Sequence, residues 1–171
     1  FPELAYSWRR TMLPLAEAGY HVIAPDVRGY GRTTGWSADY DTDLTPFRRL
    51  NKVRDALGLV AAFGYESVEA VIGHDAGAPL AGWCALTRPD IFKSVVMMSA
   101  PFGGAATLPF DTIANPPRSA LPPAADVYAD LAKLPRPRKH YQRYYRTREA
   151  NENMWHAQQG IRDFILGYYH F

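Results

Sequence analysis

The sequence predicts an α/β protein: a doubly wound parallel sheet, partial in extent, followed by an inserted helical segment. Helical and strand-like patterns alternate between residues 6 and 99, which is the signature of strands joined by crossover helices. The strand-like runs are nearly continuous in apolar residues, as expected when helices cover both faces of the sheet. Beyond Phe102 the alternation stops. Residues 109 to 137 hold seven of the fourteen prolines, so the chain there leaves the sheet on an extended excursion.

Each element has its own justification. Residues 6 to 19 read as a helix that Gly19 ends, and His21 to Pro25 as a strand. The stretch from Arg28 to Thr45 is polar and rich in turn formers. Thr45-Pro46 opens a helix with N-cap and first-turn chemistry, running through Leu50, Val53, Leu57, Val60 and Ala61 to Gly64. Val68-Glu69-Ala70-Val71-Ile72 reads as a buried parallel strand, and Ala78 to Leu86 as the helix packed on it. Ser94-Val95-Val96-Met97-Met98-Ser99 is a third buried strand, closed by Ala100-Pro101. Helical patterns resume at Tyr141 and again at Ile161, Phe164, Ile165 and Tyr168. The basic cluster from Arg136 to Arg148 is spaced along a helix beside Glu149 and Glu152, so it reads as a solvated face and not as a nucleic-acid site.

Composition narrows the function classes. A chain of 171 residues with 47% hydrophobic content can bury a core, and a net charge of +2 names no polyanionic partner. A single cysteine, Cys84, excludes an intramolecular disulfide framework and is compatible with a reducing, cytoplasmic location. No run approaches the ~18 apolar residues that span a bilayer. No histidine pair has ligand spacing on a helix with acidic company, so no metal site is expected.

The most informative stretch is Gly73-His74-Asp75-Ala76-Gly77, lying between a strand and a helix. A G-x-nucleophile-x-G turn in that context is the nucleophile elbow of the α/β-hydrolases, whose glycines permit a tight turn and close helix–strand packing. The central residue here is an aspartate where lipases and esterases have serine. An ordinary aspartate carboxylate titrates near ~4 and needs no base to ionise it at neutral pH. It attacks esters and amides poorly, because the adduct would be an anhydride. At a saturated electrophilic carbon it can displace a leaving group and remain as an alkyl ester, which water, a base and oxyanion donors then cleave. The pattern points to covalent hydrolysis of epoxides or alkyl halides. The alternative is that Asp75 only caps the following helix.

Two further segments carry a family resemblance. Phe1-Pro2-Glu3 followed by Ser7-Trp8-Arg9 resembles the tail of the His-Gly-x-Pro oxyanion loop of α/β-hydrolases. Asp26-Val27-Arg28-Gly29-Tyr30-Gly31 resembles the Asp-x-Arg-Gly-x-Gly segment after the next strand. With the elbow, three motifs stand in family order over residues 1 to 102, and the match is nearest the epoxide hydrolase branch. Lys139-His140-Tyr141-Gln142 resembles the cap segment of soluble epoxide hydrolases.

The resemblance implies an α/β-hydrolase fold with a partial core over residues 1 to 102 and a Pro-rich linker plus partial helical cap over 103 to 171. It implies hydrolysis of a small apolar epoxide to a diol without metal or organic cofactor. Asp75 would be the nucleophile and Tyr141 the phenol that protonates the opening oxygen. The backbone N–H groups of Phe1 and Ala76 would be the oxyanion donors, the latter aided by the helix dipole. Trp8 and His74 would line the pocket, with His74 orienting the elbow. Asp26 and Arg28 would tie down their loop by a charged hydrogen bond. Alternatives stay open: Tyr141 with Tyr144 and Tyr145 also fits the packed face of a cap helix, and Trp8 also fits a core position.

Departures bear on the reaction. Ala76 stands where haloalkane dehalogenases carry the tryptophan that holds halide, and where fluoroacetate dehalogenases carry arginine, which disfavours a dehalogenase. After Thr147, Arg148-Glu149-Ala150-Asn151 departs from the Pro-Gly segment of mammalian-type caps. The family order is nucleophile, acid, then histidine. None of His21, His74, His140, His156 and His170 fits that histidine. The expectation is therefore an internal piece of a longer enzyme, inactive alone, with base, acid and second cap tyrosine beyond Phe171. A hydrolase-fold binding protein without catalysis is the remaining alternative.

Overall fold

A computed structural model describes residues 3–104 and 126–169. The chain forms two compact units, Phe1–Ala106 and Thr107–Phe171. Among the described residues no helix is long and apolar enough to cross a membrane.

The first unit begins with a 3-10 turn, Ala5–Trp8, that runs into α1, Arg9–Glu17. Gly19, at φ 94°, ends it. The N–H of Gly19 donates to the Ala16 carbonyl at 2.9 Å and that of Tyr20 to Leu15 at 3.1 Å, closing the left-handed Schellman cap that glycine makes inexpensive. The same pair of bonds recurs after α2, Arg49–Ala62, where Gly64 (φ 75°) donates to Ala61 and Tyr65 to Val60. Both helix ends therefore lie where glycine in the sequence puts them.

The start of α2 differs from expectation. Thr45–Phe47 is a separate 3-10 turn, and Arg48, at φ −61° and ψ 149°, is extended and breaks the helix before Arg49. The Thr45 hydroxyl caps nothing there. Instead the Thr45 N–H donates to the Asp43 carboxylate at 2.9 Å, which lowers the pKa of Asp43.

Two parallel strands, β1 (Val71–His74) and β2 (Val95–Met98), pair in the register Val71 with Val95 through His74 with Met98. Val68 and Phe92 make an isolated parallel bridge ahead of them. Between the strands runs α3, Gly77–Thr87, which packs on both strands and against α2. Val53 of α2, Cys84 of α3 and Phe92 form the buried centre, with Leu57, Val60, Val71, Leu80, Trp83 and Ile91 around it. Gly82 faces Phe102 so closely that a Cβ there would lie 2.7 Å from the ring.

Two strand expectations need correction. His21–Pro25 is no strand, because its backbone joins no ladder in the described residues, which leaves two strands where three were expected. Nor are β1 and β2 buried throughout: Gly73 is, but Ile72, Val96 and Met98, which share one face, are 39%, 45% and 36% exposed, and Met97 on the opposite face is 42% exposed. Their apolar runs suit two-sided burial, but among the described residues α3 packs on one face and covers it in part.

Among its described residues the second unit holds four short helices: α4 (Val127–Ala132), α5 (Tyr141–Tyr144), α6 (Arg148–Trp155) and α7 (Gly160–Tyr169). Asp126 caps α4 by accepting from the Tyr128 and Ala129 N–H groups, and Thr147 caps α6 by accepting from Ala150, both as side-chain oxygens at N-caps do. The basic cluster does not lie along one helix. Residues 136–140 are irregular, Arg143 lies in α5, Arg146 in the turn after it and Arg148 in α6, and Lys139 pairs with Glu149 at 2.9 Å.

Burial pushes the Cys84 thiol up to about 11, and its side chain is fully enclosed. A thiol-specific disulfide reagent at pH 8 should therefore label native Cys84 at least ~100-fold more slowly than the urea-unfolded chain. Comparable rates in the two states would contradict the packing described.

Candidate active site

The turn between β1 and α3 carries three of the expected site residues, His74, Asp75 and Ala76. Asp75 adopts φ 49°, the left-handed region that a non-glycine residue enters at a cost of about 1–3 kcal/mol. Aspartate is among the residues that tolerate it best. Two backbone bonds hold it there. The Asp75 N–H donates to the Met98 carbonyl at 3.0 Å, extending the ladder with β2, and the Asp75 carbonyl accepts from the Ala78 N–H at 3.0 Å.

Gly73 explains why the turn can be so tight. A Cβ on Gly73 would overlap the Gly77 carbonyl and lie 2.7 Å from the Ala78 nitrogen, so the strand end and the helix start approach each other at van der Waals limits. Asp75 is thereby carried to the carboxyl end of the parallel pair, where ligands of open α/β sheets bind. It does not occupy the N-cap: that position is Ala76, at φ −60° and ψ −23°, which has no side-chain acceptor. The two bonds described at the turn leave the Ala76 N–H unused by either, at the positive end of an 11-residue helix.

The remaining expected site residues fall as follows. His74 closes β1, opposite Met98 in the register, and is exposed. Trp8 ends the first 3-10 turn and is half-buried. Phe1 lies outside the described residues. Tyr141 belongs to the second unit, where it opens α5 and is 50% exposed. Its ring stacks on His140 at 5.1 Å and meets Tyr145 edge-on at 5.8 Å, while Gln142 Nε2 donates to its hydroxyl at 3.4 Å. Tyr144 and Tyr145 behave as packing residues. The Tyr144 hydroxyl accepts from Asn153 at 2.7 Å, and burial, then Tyr168, raises the Tyr145 pKa.

The Asp26–Thr33 turn is tied down in two directions. Arg28 forks onto Asp55 of α2, with Nε 2.9 Å from Oδ2 and the second guanidinium nitrogen on Oδ1. Asp26 reaches upstream and accepts the Ala5 N–H at 2.7 Å, while its own carbonyl accepts from the Thr33 hydroxyl at 2.7 Å. The two side chains thus hold different neighbours and do not bond each other. A cavity of about 370 Å³ lies at this junction, lined in part by Leu4, Ala5, Asp26, Gly31 and Arg32; Asp75 is not in its lining.

Sequence reasoning does not point to Tyr30, yet this residue feels the charge of Asp75. Burial first, and then the negative charge of Asp75, raises the Tyr30 pKa above the ordinary phenol value. The available signal is its place between Gly29 (φ 82°) and Gly31 (φ 54°), which fold the turn around it.

Comparison with known proteins places these features in context. The alpha/beta hydrolase fold family matches residues 1–156. An epoxide hydrolase of Caballeronia sordidicola is 46% identical over 102 residues, 60% of this chain and 29% of that protein. The structure of an epoxide hydrolase from an endophytic Streptomyces matches with a TM-score of 0.68 at 31% identity, covering 99% of this chain and 44% of that one. A mutant of potato epoxide hydrolase gives 0.66 at 34% identity, covering 96% and 46%. The chain spans about 30% of the length of the curated relatives it matches.

Two outcomes follow from the turn geometry. Gly73→Ala should destabilise the fold by more than about 2 kcal/mol in urea unfolding, since backbone atoms must move to admit the methyl group; a neutral effect would contradict the close approach. Asp75→Asn should lower the Tyr30 pKa, because the charge that disfavours the phenolate is gone. Ultraviolet titration, with Tyr30→Phe identifying the transition, would read the shift, and no movement would contradict the proximity.

Proposed function

The chain belongs to the alpha/beta hydrolase fold family, and on that premise we propose that it carries the nucleophile of an enzyme that opens epoxides to diols. The observation that carries this reading is Asp75, held in the left-handed turn between a parallel strand and a helix N-terminus. Relatives named as epoxide hydrolases support the substrate class.

In the first step an Asp75 carboxylate oxygen attacks a ring carbon of the epoxide. The carbon–oxygen bond breaks, the electron pair passes to the departing oxygen, and a phenol proton neutralises it. Tyr141 is the proposed donor. An alkyl ester of Asp75 remains, with the new hydroxyl on the adjacent carbon. In the second step water attacks the ester carbonyl, and the oxyanion forms against backbone N–H groups, those of Ala76 and Phe1 in this proposal. A general base takes a proton from the water as it attacks. Collapse breaks the bond from the ester carbonyl carbon to the diol oxygen, which takes that proton, and the acid so formed returns its own proton to the phenolate, so that diol leaves and both carboxylate and phenol are restored. The α3 dipole favours negative charge at this point in both steps.

The substrate is a small apolar epoxide, with Trp8 and His74 beside the reacting carbon. Ala76 offers only a methyl group where a departing halide would need a side-chain donor. An epoxide needs none, since its leaving oxygen stays attached.

Asp75→Asn in the full-length protein should reduce diol formation from an aryl epoxide by roughly 10³-fold or more, with the fold retained. Diol formation at the wild-type rate would remove Asp75 from the reaction. Halide release from haloalkanes together with inertness toward epoxides would replace the substrate class.

A further inference from the structure

We propose that Asp26 is a positioning residue for the reaction at Asp75: through Ala5 its carboxylate sets where the Trp8 segment stands against the glycine turn that carries Tyr30, and so shapes the space beside the nucleophile. This rests on the proposed epoxide opening.

The helix that starts at Ala5 has no cap of its own. Leu4, at its N-cap, offers no side-chain acceptor, so the first N–H groups must find partners elsewhere. The Ala5 N–H finds Asp26 Oδ1 at 2.7 Å, in a part-buried bond between residues 21 apart in sequence. The acceptor is a carboxylate at the positive end of a helix, which strengthens the bond.

The turn is folded onto that same carboxylate. Gly31, at φ 54°, lies against it so closely that a Cβ would overlap Oδ2, and the Thr33 hydroxyl holds the Asp26 carbonyl from the other side. Arg28 fixes the turn to α2 through Asp55. Movement at Asp26 is therefore passed in two directions: to Ala5 and Trp8 on one side, and to Tyr30 on the other. Tyr30 in turn lies within reach of the Asp75 charge, which helps raise its pKa. One carboxylate thus joins the two segments.

Displacing a segment beside a reacting carbon alters the two enantiomers of a chiral epoxide unequally, because their substituents point to different walls. A loss of folded protein, in contrast, slows both by the same factor. The enantiomeric ratio of kcat/KM therefore separates positioning from bare stability.

Two variants of the full-length protein test this on both enantiomers of an aryl epoxide. Asp26→Ala removes the acceptor. Ala5→Pro removes only the donor, at a first helical position that proline suits, preceded by Leu4 at φ −119° and ψ 170°, which suits a residue before proline. Both should change the enantiomeric ratio by about threefold or more and lower kcat/KM for at least one enantiomer by about tenfold. Asp26→Asn, whose amide oxygen can still accept from Ala5, should keep the ratio near wild type. If Asp26→Ala fails to fold, Ala5→Pro alone decides. Normal diol formation with an unchanged ratio in the folded variants would overturn the positioning role while leaving the reaction intact. A wild-type protein that forms no diol would instead remove the reading on which the role rests.

Discussion

The left-handed backbone at Asp75 is the constraint on which the site depends. A strand must end, reverse and enter a helix within a few residues, and this is sterically possible only because Gly73 has no side chain to strike Gly77 and Ala78. The strain at φ 49° is held by what surrounds it: the N–H is committed to β2 and the carbonyl to the first turn of α3. Each of those elements is fixed in turn, β2 by its ladder with β1 and α3 by the buried contacts of Cys84 with Val53 and Phe92. Packing far from the carboxylate thus maintains a conformation that the chain would not adopt by itself.

The helix ends and the turn were legible because they depend on local chemistry. Gly19 and Gly64 stop their helices through bonds reaching no further than five residues, and the spacing of Gly73, Asp75 and Gly77 carries the turn within itself. What depended on distant partners was not legible. His21–Pro25 has strand-like residues but no ladder, and strand formation requires a neighbour that propensity cannot supply. The apolar runs of β1 and β2 suit two covered faces, whereas among the described residues α3 packs on one and covers it in part. At Thr45 the local signal serves a different structure: the threonine N–H is taken by Asp43, and the extended Arg48 separates the proline turn from α2.

The site shows the same division. Asp75 and Ala76 lie within one pentapeptide, and Ala76 stands at the start of α3. The partners of Asp26 and Arg28 lie 21 and 27 residues away and could not be named from their own motif, although its charged residues pointed to a tethering role. The structure refines that role: the two side chains anchor the turn to different elements, one to the helix start at Ala5 and the other to α2. Tyr30 becomes relevant only once the turn is folded beside Asp75, an arrangement that no linear spacing records.

The central claim is that the Asp75 carboxylate itself forms the bond to carbon. Turnover of an aryl epoxide by the full-length protein in 18-oxygen water, followed by mass analysis of the peptide containing Asp75, tests it most directly. Water attacking an alkyl ester at its carbonyl leaves heavy oxygen in the carboxylate, so the account predicts label in Asp75 after repeated turnovers. Diol formed with no label in that peptide would mean that water attacks the epoxide directly, and would contradict it.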